Sequence, residues 1–332
     1  MKKSVVITSI FSPTESVRKF AANKEYKLIV VGDKKTPSNW QSENVEYLSV
    51  AAQEGLGLDL AKKLPYNHYC RKMVGYLKSV INGDEVIVDT DDDNIPFDDW
   101  SVPEFNGDYL QSPGDLGFVN IYKSFTDANI WPRGLPLDKI LDAAANNSLH
   151  QGSEINHCNV GVWQGLADGD PDVDAIYRLT SNKECIFEKR DPLVLSPNTI
   201  CPFNSQNTSF RKECFPLLYL PAFVTFRFTD ILRGLVAQPI LWEAGYTLGF
   251  TKATVFQDRN PHSYIRDFES EIPVYLQGHR VIDIVSGIIS SKSSISDNLI
   301  NAYEALEKES IVSKQELDLL NCWIKDLDKW SK

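Results

Sequence analysis

Four apolar, β-rich runs divide the first hundred residues: "SVVITSIF" from Ser4, "YKLIVVGD" from Tyr26, "NVEYLSV" from Asn44 and "DEVIVD" from Asp84. Strands separated by helix-length segments imply right-handed crossovers and a mostly parallel sheet, with helices on its faces. The first connecting segment carries its own start signal. In "SPTE", Ser12 can cap a helix, Pro13 suits its first position and Glu15 completes a capping box. Sheets wound this way bind ligands beyond the carboxyl ends of their strands. Ser9, Asp33 and the residues after Val88 therefore fall on one edge.

The helix before the fourth strand adds to that edge. In "PYNHYCRKMVGYLKSVING", Cys70, Met73, Val74, Leu77 and Ile81 recur at helical spacing and define a buried face, and Gly83 is a suitable stop. The first turn, Tyr66 to His68 with Asn67 at its centre, sits beside the strand ends, and Arg71 lies one turn further in. A helix N-terminus with a guanidinium suits a phosphate. Lys72 lies further round the helix and is expected to face away from it.

The fourth run ends in "VIVDTDDDN", where Asp89, Asp91, Asp92 and Asp93 crowd like charge at the end of a buried strand. A solvated acidic loop is one explanation. A calcium loop fits Asp89, Asp91 and Asp93 but fails where Asn94 replaces a glycine and Trp100 a glutamate. A phosphatase-like site would use Asp89 and Asp91, with no assignable partners. The remaining reading is a DxD site, in which Asp91 and Asp93 hold Mn²⁺ or Mg²⁺ against the diphosphate of a nucleotide sugar. The cation would also relieve the repulsion. Asp89 is then a buried orienting carboxylate, and Asp92 is solvated or near the sugar.

Composition narrows the alternatives. The net charge of −11, with no basic cluster, argues against nucleic acid and against an anionic membrane surface. Cys70, Cys158, Cys185, Cys201, Cys214 and Cys322 show no paired spacing, so reduced buried thiols are expected and not a zinc site. No stretch reaches the roughly 20 apolar residues of a membrane span. A cytoplasmic location is the expectation.

Beyond residue 100 the alternation gives way to Pro- and Gly-punctuated segments. "PLLYLPAFVTFRF" reads as a further strand and "TDILRGLVAQ" as a helix capped by Thr229. The expected organisation is a nucleotide-sugar-binding half over 1–100 and an acceptor and catalytic α+β half of the same domain over 101–287, followed by a helical segment over 288–332. His157, His262 and His279 are candidates for a further metal ligand, each more simply structural.

Longer blocks carry a resemblance. "VVITSIFSPTESVRKFA", "VVGDKKTP", "LPYNHYCRKMVGYL", "DTDDDN", "NIWPRGLPLD", "GVWQGLADGDPDVDAIYRL", "CPFNSQNT" and "FRFTDILRG" follow one another as in the STELLO family of glycosyltransferases, whose catalytic domain resembles the GT-A fold. A weaker similarity, confined to the strand and DxD, is to the reversibly glycosylated polypeptides. The resemblance implies a GT-A-like α/β domain that transfers a sugar from a nucleoside diphosphate, most simply a UDP-sugar, to a glycan hydroxyl in surface polysaccharide synthesis. Ser9, Asp33, Asn67, Arg71, Asp91 and Asp92 would bind the donor. Asp230 matches the position of the base carboxylate in inverting enzymes of that fold. Trp163, Asp168, Arg233 and Trp242 are the acceptor-side candidates, although each tryptophan can equally fill a core and Arg233 can simply pair with a carboxylate. A nucleotide-sugar mutase and a non-catalytic scaffold are the alternatives.

Overall fold

The computed structural model describes residues 1–258 and 263–330. The four N-terminal runs form β1 (Lys3–Thr8), β2 (Lys27–Val31), β3 (Val45–Leu48) and β4 (Val86–Thr90). They are joined through α1 (Glu15–Ala22), α2 (Val50–Gly55), α3 (Asp59–Lys63) and α4 (Lys72–Ile81). The order is β3-β2-β1-β4, with every pair parallel. Side chains alternate between two cores. Val5, Ile7, Leu28, Val30 and Val88 meet Val17 and Phe20 of α1, while Val6, Ile29, Val31 and Ile87 meet Met73, Val74 and Leu77 of α4. Both faces of β1, β2 and β4 are covered, which is why these strands read as mostly apolar runs, while the edge strand β3 stays half-buried at Val45, Glu46 and Tyr47. A Cβ on Gly75 would lie 2.5 Å from a Val6 methyl and 2.7 Å from one of Val31, so α4 needs glycine to approach the sheet.

Two helix starts differ from expectation. Thr14, not Ser12, caps α1: its hydroxyl accepts from the Val17 N–H at 3.3 Å and donates to the Asp92 carbonyl at 2.6 Å. That second bond selects the later residue. Nor does α4 begin at Tyr66. Asn67 sits at φ 54°, through which no right-handed helix passes, and a 3₁₀ turn over Tyr69–Arg71 leads in. His68 Nδ1 accepts from the Cys70 N–H at 3.2 Å to start that turn.

The rest of the chain adds β5 (Asn94–Pro96), β6 (Asn106–Gln111), β7 (Gly117–Phe118), β8 (Glu154–Gly169), α5 (Ala175–Thr180), β9 (Leu193–Leu195), β10 (Thr199–Ile200) and β11 (Asn207–Arg211). After these come α6 (Thr229–Glu243), β12 (Thr247–Gln257), α7 (Tyr264–Ile288), α8 (Ile295–Lys308) and α9 (Lys314–Trp330). β11 pairs antiparallel with β4, and the sheet continues β8-β6-β9-β12-β5 to ten strands, with β12 also parallel beside β8. The molecule is thus α/β. Parallel order holds throughout β1–β4; beyond β4 both directions occur, with loops making several of the connections and α6 leading into β12, which runs parallel to β8.

The segment 216–228 is not a strand. It is a 3₁₀ turn, Lys212–Leu218, followed by a loop that is buried through Ala222 and then exposes Phe223 and Phe226, and Pro216 and Pro221 offer no N–H to a ladder. Thr229 is the first residue of α6 and makes no side-chain cap. The C-terminal helices dock on the same core. Asp326 accepts from the Leu60 N–H at 2.8 Å, and the Trp323 indole donates to the Pro216 carbonyl at 3.0 Å. All six cysteines are buried and free. Among the described residues no helix is long and apolar enough to cross a membrane.

Candidate functional site

Strand order reverses at β1: β2 and β3 lie on one side of it and β4 on the other. The connections leaving β1 and β4 part there, and the crevice between them is where a ligand is expected. A cleft of about 360 Å³ occupies it. Ser9, Phe11, Asp33, Asn67, His68 and Arg71 line the β1–β2 side, and Asp91, Asp92 and Asp93 the middle. The far wall carries Arg133, Asp172, Asn204, Gln206, Arg227, Asp230 and Gln257.

The aspartate turn is built on Lys72. Its ammonium, fully buried, donates to Asp89 Oδ1 at 2.9 Å, the Thr90 carbonyl at 2.8 Å and Asp91 Oδ1 at 2.7 Å. Arg233 holds the other oxygen of Asp89 at 2.7 Å. Burial alone would raise Asp89, but these two cations outweigh it and keep the carboxyl below its ordinary value. Asp91 shares only Lys72, so burial wins and pushes it up to about 6. Burial also raises Asp92, which accepts from the Ser9 hydroxyl at 2.5 Å. Asp93 Oδ2 accepts from Gln257 Nε2 at 2.8 Å.

On the β2 side, Asp33 accepts from the backbone N–H of Lys34 at 2.7 Å and of His68 at 3.3 Å. Arg71 is fully buried. Its Nε donates to Gln53 at 2.8 Å, its Nη1 to the Leu64 carbonyl at 3.2 Å, and its plane lies 4.4 Å from the Tyr66 ring centre. Burial depresses its pKa, since its hydrogen-bond partners here are neutral.

The far wall is an ion-pair network. Arg133 grips Asp172 through Nε (2.8 Å) and Nη2 (2.7 Å), and Asp230 through Nη1 (3.0 Å) and Nη2 (2.7 Å). Arg227 pairs with the buried Glu271 at 2.7 Å. Asp230 reaches the cleft from the first turn of α6, as its position in the sequence implied, but without a preceding strand.

The four acceptor-side candidates lie elsewhere. Trp163 is buried in the α1-side core against Gly249, where a Cβ would come within 2.3 Å of its ring. Trp242 is half-buried against the larger core near the end of α6. Asp168 accepts from the Phe187 N–H at 2.8 Å, and Arg233 is consumed by Asp89 and the Asn204 carbonyl. Packing engages the two tryptophans, and hydrogen bonding and ion pairing engage Asp168 and Arg233. His157 and His279 pair with Asp108 and Asp138 at the surface; His262 lies outside the described residues.

The aspartate turn suits a hard divalent cation. Its donors are carboxylate oxygens, and Asp91, Asp92 and Asp93 all line the cleft. Among the described residues no three acidic, His or Cys side chains form a ready-made cage. A cation here would complete its shell with water and ligand phosphates, the habit of Mg²⁺.

Lys72 and Arg133 escaped the sequence reading. α4 is buried almost all round, so helical periodicity could not point Lys72 toward the aspartates. Arg133 stands in "WPRGLP", where an arginine among apolar and turn residues was the available signal.

Comparison with known proteins points to one family. The family described as STELLO glycosyltransferases matches residues 227–331, the stretch bearing Arg227, Asp230 and Gln257. Over 345 aligned residues, 98% of the chain is similar to Probable glycosyltransferase STELLO1 of Arabidopsis thaliana at 27% identity, and to STELLO2 at 26%. The chain covers 44% of each relative, so it spans less than half the length of the curated proteins it matches. The resemblance to the STELLO family thus holds along nearly the whole chain.

Proposed function

We propose that this cleft transfers a glycosyl group from a nucleoside diphosphate sugar, most simply a UDP-sugar, to a hydroxyl of a glycan acceptor, within a GT-A-like domain. The observation that carries the reading is the meeting of Ser9, Asp33 and Asp91–Asp93 in one cleft at the point where strand order reverses. Asp33, Asn67 and Ser9 would orient the nucleoside, and Asp91 and Asp93 would hold Mn²⁺ or Mg²⁺. When bound, such an ion supplies Lewis-acid stabilisation of charge on a departing diphosphate. Lys72 keeps Asp91 turned toward the cleft and Gln257 does the same for Asp93. Arg71 supports the wall behind the nucleoside, with Tyr66 and Gln53 fixing its plane.

The test is a thermal-shift screen of UDP, GDP and their hexose conjugates with and without Mn²⁺. A ligand at a hundred times its Kd stabilises the folded state by about 2.7 kcal/mol, a rise of several degrees. The reading requires such a rise with at least one nucleotide, its loss in Asp91→Ala and Asp93→Ala, and hydrolysis or transfer of the matching sugar nucleotide. No rise with any nucleotide would sink it. Conversion of the donor to an isomeric sugar nucleotide, without acceptor, would favour a mutase instead.

A further inference from the structure

The far wall assigns roles that differ from those its residue types suggest. Arg133 is almost fully buried, and its guanidinium has five N–H donors. It makes five hydrogen bonds: two to Asp172, two to Asp230 and one from Nη1 to the Arg227 carbonyl. None remains for a substrate. Asp230 is engaged just as completely. Oδ1 accepts from Arg133 Nη1 at 3.0 Å and the Ile231 N–H at 3.1 Å, and Oδ2 from Arg133 Nη2 at 2.7 Å and the Ser205 N–H at 3.3 Å. A carboxylate has about four lone-pair sites, so each is taken. A proton could enter only by displacing a charge-assisted bond.

The wall is tied to the aspartate turn through neutral amides. Asn204 Nδ2 donates to Asp172 Oδ2 at 2.9 Å, and its Oδ1 accepts from the Gln206 N–H at 2.9 Å. The Gln206 side chain donates to Gln257, which in turn donates to Asp93. Resting on the glycosyl-transfer reading, we propose that Arg133 is a positioning residue that clamps Asp172 and Asp230 into one rigid unit. Asp230 then shapes the acceptor-side wall opposite the aspartate turn and does not take the acceptor's proton.

The experiment measures Mn²⁺-dependent turnover of UDP-glucose and GDP-mannose from pH 5 to pH 9 in wild type, Arg133→Lys, Asp172→Asn and Asp230→Asn, with melting temperature alongside. A clamp predicts that all three variants lose kcat by similar factors, about tenfold or more. Donor KM stays near the wild-type value and the acid limb of the pH profile does not move. Lysine cannot rescue, because it lacks the planar fork. A loss above a thousandfold confined to Asp230→Asn, with the acid limb abolished and Asp172→Asn near wild type, would make Asp230 the proton acceptor and overturn the proposal. Lower melting temperatures with unchanged kcat would reduce Arg133 to a stability role and overturn it equally. Absence of turnover by the wild type would instead remove the glycosyl-transfer reading, and this inference with it.

Discussion

Lys72 shows how one side chain lets two neighbouring carboxylates coexist at a strand end. Its ammonium, with no exposure to solvent, bridges Asp89 and Asp91. Desolvation would expel the proton from such an amine, yet the two carboxylates outweigh it and hold the pKa above the ordinary value for lysine. Removing one member of a buried pair strands the other, which typically destabilises by about 3–5 kcal/mol. Lys72→Met should therefore lower stability by about 3 kcal/mol or more, read as a lower urea midpoint at unchanged m-value. Little change would mean that Arg233 alone neutralises Asp89. At this scale the sequence was half legible. Asp91, Asp92, Asp93, Ser9 and Asp33 could be set on one edge from strand ends alone. Lys72 and the Arg133 network could not, because Arg133 meets Asp172 and Asp230 across 39 and 97 residues of chain.

Among the elements, β1, β2 and β4 were readable because two-sided burial makes each a mostly apolar run; the half-buried edge strand β3, with Glu46, and the helix α1 were readable from spacing and start signals instead. The 216–228 segment mimics a strand because its first half is as apolar and as buried as one; its two prolines and the exposed Phe223 and Phe226 mark it as a loop. The short α5 offers a test of how a cap behaves when buried. Asp174 caps it, accepting from the Tyr177 N–H at 2.8 Å and the Trp131 indole N–H at 2.8 Å. Burial outweighs both bonds and pushes the carboxyl up to about 6. The folded state thus binds this proton more tightly than the unfolded chain, whose value is near 4. The stability this proton confers is fully present below about pH 4 and is lost as pH rises through about 6. Asp174→Asn keeps a capping oxygen without the titration. Relative to wild type it should gain about 2 kcal/mol between pH 4 and pH 7.5 in urea denaturation. A pH-independent difference would mean the site is wetter than its burial implies.

For the whole molecule, the sheet is the unit of stability. β4 pairs with β11, the Leu220 N–H donates to the Met73 sulfur at 3.2 Å, and α3 and α4 pack against α9. Residues 1–100 therefore hold only part of a sheet that the later strands complete. A fragment of residues 1–100 should show no cooperative thermal transition and no fixed near-UV circular dichroism. A sharp transition would establish that half as an independent folding unit.

The supports of the aspartate turn also fix a timetable. Arg233 and Gln257 follow Asp89 and Asp93 by 144 and 164 residues. At about 5–20 residues per second, a ribosome leaves those carboxylates without their distant partners for on the order of ten seconds. During that interval the nascent chain carries an acidic segment that has nowhere to bury itself. The cleft is complete only when β12, which carries Gln257, has emerged.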